Sequence, residues 1–135
     1  MPRIGGRILA LLLVADEPFT LDELAAKLKV SKASASTNLR HFMQIGLVDI
    51  VTPLGERKAF YQWSANAWER RTDVAQTVAR GIKAIAENGL TAISPANTAA
   101  RDRLEQSIEY ADYFIGALDT VRAGWLARLA EKGTK

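Results

Sequence analysis

The chain contains no cysteine, which excludes disulfides, thiol catalysis and thiolate metal sites. That usage fits a reducing cytosol, so the expected location is cytoplasmic. A single histidine, His41, is present, so there is no histidine–acid constellation for catalysis and no ligand spacing for a metal. A phosphate-cradling glycine loop is missing as well. The apolar run Ile8 to Ala15 is far too short to cross a membrane. Asp16-Glu17-Pro18 follows that run with no small-residue cleavage site, so it does not read as a signal peptide. Repeats and low-complexity tracts are absent too. The expectation is therefore no enzyme, no cofactor, no metal and no membrane. What remains is 135 residues with 48% hydrophobic content, enough to fold around a core of their own.

The most informative stretch runs from Pro18 to Trp63. Pro18 blocks continuation of any upstream helix. Thr20 and Glu23 have capping-box spacing, Phe19 and Leu24 have staple spacing, and Asp22 and Glu23 suit the positive end of a helix dipole. Leu21, Leu24, Ala25 and Leu28 then recur on one helical face. After a short turn through Lys29 and Val30, Ser31 caps a second helix whose apolar stripe is Ala35, Leu39, Phe42 and Met43. Its other face shows Lys32, Ala33, Ser34, Ser36, Thr37 and Arg40, with no acid in the first two turns. Small side chains allow a backbone to approach base edges, and hydroxyls bond to bases or phosphates. Gly46 ends this helix. Leu47 to Val51 and Ala59 to Trp63 have strand composition, and the turn-forming stretch between them ends in Arg57 and Lys58. The order is helix, turn, helix, wing, with the second helix sized for a DNA major groove.

Three segments carry a family resemblance: Gly6 to Pro18, Ser31 to Arg40, and Gly55-Glu56-Arg57-Lys58. Together they resemble the GbsR branch of the MarR-type winged-helix transcription regulators, over roughly the first half of the chain. The resemblance implies Ser34, Ser36, Thr37 and Arg40 in the major groove, Arg57 on the wing, and a homodimer built by terminal helices. Members of that branch usually carry a further helix ahead of the stretch that here follows Met1.

Net charge is only +3, but its distribution is uneven. From Lys27 to Lys58 six cations stand against two anions, Asp49 and Glu56. The positive field therefore lies where a nucleic acid would be read.

From Ala65 onward the pattern is helical. Trp68, Ala75, Val78, Ile82 and Ile85 predict a helix ending at Asn88-Gly89, with Leu90 to Ile93 as connector. Ser94-Pro95 reads as the next start, with Thr98 as an alternative cap. Leu104, Ile108, Ala111, Ile115, Leu118, Arg122, Trp125 and Leu129 form a heptad-like seam with one polar interruption at Arg122. A second stripe of Gly116, Ala123, Gly124 and Ala127 would permit close helix approach. The two helices carry more apolar surface than a small winged helix can cover. Either they close as a hairpin within one chain or they build a twofold dimer, which would set two recognition helices about 34–36 Å apart.

His41 reads as a phosphate contact or a plain surface residue, and Trp63 with Trp68 as wing-to-helix packing. Tyr110, Tyr113, Phe114 and Trp125, near Glu109 and Asp112, form a candidate effector cage for a quaternary ammonium, set against core and interface packing, which their spread over several helix faces favours.

The expected fold is mainly α: a winged helix-turn-helix with a small β-hairpin wing and two long C-terminal helices. The expected division is a DNA-binding domain over 1–64 and a helical dimerisation region over 65–135. The expected function is a sequence-specific regulator of transcription, a repressor acting as a homodimer on double-stranded DNA. It would anchor phosphates through Lys32, Arg40, Arg57 and Lys58 and read bases from Ser34 to Arg40. The alternative is a winged-helix protein-interaction module without DNA readout.

Overall fold

The structure, a computed structural model, describes residues 3–134. In chain order it contains α1 (Arg3–Val14), β1 (Phe19–Thr20), α2 (Leu21–Leu28), α3 (Lys32–Gln44), β2 (Val48–Val51), β3 (Phe60–Trp63), α4 (Ala67–Ala92) and α5 (Thr98–Gly133). Two compact units meet between Arg71 and Thr72, so α4 contributes to both.

The first unit is built on one apolar core. Ile8 and Leu12 of α1, Leu24 and Leu28 of α2, Leu39 and Phe42 of α3, and Val48 of β2 all bury in it. Each such side chain contributes roughly 1.5–3 kcal/mol by leaving water. Gly5 permits the tightest approach: a Cβ there would lie 2.7 Å from Asn38 Oδ1 on α3. Arg7 donates to the Leu28 carbonyl at 2.7 Å, closing the C-terminal end of α2.

The helix boundaries follow from local chemistry. The capping box of α2 is complete: Glu23 N–H donates to Thr20 Oγ1 at 3.2 Å, and Thr20 N–H donates to the Glu23 carboxylate at 2.9 Å. The helix ends in a Schellman pair, with Val30 N–H on the Ala25 carbonyl and Lys29 N–H on that of Ala26. This places Lys29 at φ 54°, the left-handed region glycine usually fills. Ser31 caps α3 through Ser34 N–H. A second Schellman pair ends α3, from Leu47 N–H to the Phe42 carbonyl and from Gly46 N–H to that of Met43. Here glycine is present at φ +86°.

The wing is larger than a hairpin. β2 and β3 pair antiparallel, Val48 opposite Trp63 and Val51 opposite Phe60, and β1 adds a third strand with Phe19 opposite Tyr61. Pro18 and the extended cap residue Thr20 (φ −73°, ψ 163°) already hold the chain in strand conformation. Trp63 and Trp68 meet edge to face at 5.5 Å, the wing-to-helix packing their positions predicted.

The second unit is an antiparallel pairing of α4 and α5. Lys83 bonds Asp112 at 2.7 Å, and Gln76 bonds Asp119 at 2.6 Å and the Ile115 carbonyl at 3.2 Å. The polar break at Arg122 is thereby explained: it pairs with Asp73 and donates to Gln76 Oε1. Two expectations fail here. Asn88-Gly89 does not end α4, which runs on to Ala92. Gly89 instead seats Leu104, whose methyls lie 3.1 and 3.2 Å from where a Cβ would stand. The start of α5 is not at Ser94-Pro95. Asn97 caps it, accepting from Ala100 N–H, and Ser94 makes a local turn to Ala96 N–H. Among the described residues no other helix packs on Gly116 or Gly124, since a Cβ at either would face open space.

Candidate nucleic-acid interface

Helix α3 turns Ala35, Leu39 and Phe42 into the core. The opposite face is centred on Thr37, with Ala33 and Arg40 exposed beside it and Ser34 and Ser36 half-buried on its flanks. Every one of these positions is free of acid. Thr37 is less available than its position suggests. Its hydroxyl donates to the Ala33 carbonyl at 2.9 Å, which leaves an acceptor lone pair for a base edge. Asn38 is taken up structurally, donating to the Ser34 carbonyl at 2.8 Å.

Pattern reading passed over Gln44. It is exposed two turns beyond Thr37 on the same face, and the signal was there in the spacing of seven. His41 is exposed beside it, with its ring 5.8 Å from that of Phe42.

The wing presents its cations from a fixed turn. Glu56 N–H donates to the Pro53 carbonyl at 3.0 Å and Gly55 sits at φ +86°, a type II geometry. Leu54 at the tip is fully exposed. Arg57 and Lys58 are exposed, and neither is in an ion pair among the described residues. The wing is braced from behind: Arg70 of α4 pairs with Asp49 of β2 and also reaches Ser64, which is fully buried.

Lys32 has a partner. Its Nζ lies 2.9 Å from Asp22 Oδ1, in the first turn of α2. The hydrogen bond and charge of Lys32 hold the Asp22 carboxyl below its usual range, with a smaller contribution from Lys58. Lys32 and Lys58 therefore converge electrostatically on one carboxylate.

The aromatic cage comes together only in part within one chain. Tyr110 and Tyr113 stand one turn apart on α5, both exposed. Trp125 lies twelve residues beyond Tyr113, about 18 Å along the axis, and its buried Nε1 has no hydrogen-bond partner among the described residues. Tyr110 stacks on Phe114, with centroids 5.9 Å apart. The two line an apolar groove of about 420 Å³ with Val78, Ile82 and Ala111.

Among the described residues there is no group of three or more metal-ligating side chains and no helix long and apolar enough to cross a membrane.

No family model matches the chain. It is 26% identical over 132 residues to the HTH-type transcriptional regulator MmpR5 of Mycobacterium tuberculosis, spanning 97% of this chain and 80% of that one. A crystal structure of a transcriptional regulator superposes with a TM-score of 0.83 at 25% identity, over 94% of this chain and 87% of that one. Both relatives are regulators of transcription rather than enzymes. The chain has the winged helix-turn-helix fold and is similar, over nearly its whole length, to transcriptional regulators of that kind.

Proposed function

We propose that the protein is a sequence-specific DNA-binding transcription regulator: a cytoplasmic repressor that acts as a homodimer on a pseudo-palindromic operator and responds to a small effector. The observation that carries this reading is the acid-free exposed face of α3, held beside a wing whose Arg57 and Lys58 have no ion-pair partner among the described residues. In this reading α3 enters the major groove. Thr37 accepts from a base edge while Ser34 and Ser36 flank it. Arg40 and Lys32 anchor phosphates, and Arg57 and Lys58 extend the contact to the neighbouring backbone or minor groove. In this reading the DNA-binding domain runs to residue 64 and the dimerisation region from 65 onward, with the start of α4, to Arg71, packed into the first unit. The segments Gly6 to Pro18, Ser31 to Arg40 and Gly55 to Lys58 support placement in the GbsR branch. The effector site we assign is the Tyr110–Tyr113 face of α5 together with the groove beside Phe114; Trp125 joins it only from a second copy.

Selection from mixed genomic fragments tests the reading. The expected result is a preferred, twofold-symmetric site bound with steep salt dependence. Arg57→Ala weakens every fragment and lowers the salt slope by about one. Thr37→Val or Ser36→Ala changes the preferred sequence, at a cost of about 1–3 kcal/mol on the original site. Absence of binding at low salt would identify a protein-interaction module instead.

A further inference from the structure

Asp22 is an acid placed among the cations proposed to hold DNA. Its carboxylate is 2.9 Å from Lys32 Nζ, both side chains are more than half exposed, and Lys58 of the wing also acts on it. The capping of α2 does not need it, because Thr20 and Glu23 complete that box between themselves. In reach and charge the carboxylate sits on Lys32 as a phosphate oxygen would.

We propose that Asp22 is a built-in phosphate surrogate: it occupies Lys32 in the free protein and must be displaced by a nucleic-acid phosphate. This inference rests on the DNA-binding reading above. It gives Asp22 a defined role, which is to weaken the grip on any duplex by the cost of breaking its pair with Lys32. Such a residue suppresses sequence-independent binding, which comes almost wholly from phosphate contacts. An exposed ion pair is readily exchanged, so the restraint is moderate, up to about fivefold in affinity.

The test compares wild type, Asp22→Asn, Asp22→Glu and Asp22→Asn/Lys32→Met on a heparin column and with a mixed-sequence duplex between 50 and 300 mM salt. Asp22→Asn is expected to elute later from heparin and to bind the duplex two- to fivefold tighter. Its log–log salt slope should match that of wild type, because Lys32 meets a phosphate in both, and should fall by about 0.9 in Asp22→Asn/Lys32→Met. Asp22→Glu should behave as wild type, and removing Lys32 should abolish the gain. An unchanged Asp22→Asn, or a gain that survives the loss of Lys32, overturns the proposal. A heparin shift that depends on Lys32 in a protein that binds no duplex would keep Asp22 as an anion surrogate and defeat the DNA-binding reading instead.

Discussion

Arg70, in the first turn of α4, pairs with Asp49 of β2 and so ties the wing to the helix that leaves the first unit. The same guanidinium donates to Ser64 at 3.2 Å, and Ser64 in turn donates to Asn66. The pair is about one-third exposed on each side, so it escapes full solvent screening without the cost of complete burial. Replacing Arg70 by Met strips Asp49 and Ser64 of their donor. A loss of about 1–2 kcal/mol in urea denaturation is expected. Asp49→Asn keeps an acceptor and should cost less. In DNA binding, Arg70→Met should weaken all sequences alike, because it loosens the wing and leaves α3 untouched.

Gly46 makes a sharper prediction. It combines a φ of +86° with a Cβ position 3.0 Å from both the carbonyl carbon and the Cβ of Arg70. The neighbouring atoms are the backbone and Cβ of Arg70, fixed by helix α4, and cannot swing aside. Gly46→Ala therefore combines left-handed strain with a steric clash and should cost about 2–4 kcal/mol, read as a shift in the urea midpoint. Lys29 is the control. It has a similar backbone at φ 54° but an exposed side chain, so Lys29→Gly should change stability by less than about 1 kcal/mol.

These cases show which features were legible in the sequence. The caps, turns and core face of α2 and α3 were readable because each depends on residues within a turn or two of one another. The β1 strand was not: two residues reveal nothing until Tyr61 and Phe60 arrive from forty residues away to pair with them. Gly89 read as a stop because glycine usually marks one, and only the register against Leu104 makes it a seat. Arg122 read as an interruption because its partners Asp73 and Gln76 lie on the other helix. In the candidate site the exposed residue types were legible, but the engagement of Thr37 with Ala33 and of Lys32 with Asp22 required the fold.

The Asp22–Lys32 contact also predicts a pH dependence. The carboxyl is depressed chiefly by its hydrogen bond and charge interaction with Lys32. A depressed folded-state value means that the ionised carboxylate stabilises the fold at pH above the ordinary aspartate value of about 4. That contribution disappears as pH falls through the lower folded value. Carbon-detected NMR titration should find Asp22 titrating below the ordinary range, and Lys32→Met should move it upward. An Asp22 titration unchanged by Lys32→Met would contradict the contact.

Dimerisation is open to a direct test, because the α4–α5 pairing leaves apolar side chains outward. Val78, Ile82 and Ile85 on α4 and Tyr110, Tyr113 and Val121 on α5 are each at least half exposed. Gly116 and Gly124 offer backbone with nothing packed on it among the described residues. A twofold partner would bury this surface, and each large apolar side chain removed from water is worth roughly 1.5–3 kcal/mol before the cost of association. Light scattering at micromolar concentration should therefore give twice the 14.8 kDa of the chain. Val78→Glu/Ile82→Glu should halve that mass while far-UV circular dichroism keeps its helical content, since neither side chain is needed for the core of its own chain. Operator affinity should fall toward that of a single half-site, with the base preference of each half unchanged. A wild-type protein that scatters as a monomer would rule out the homodimer and leave each winged helix to bind alone.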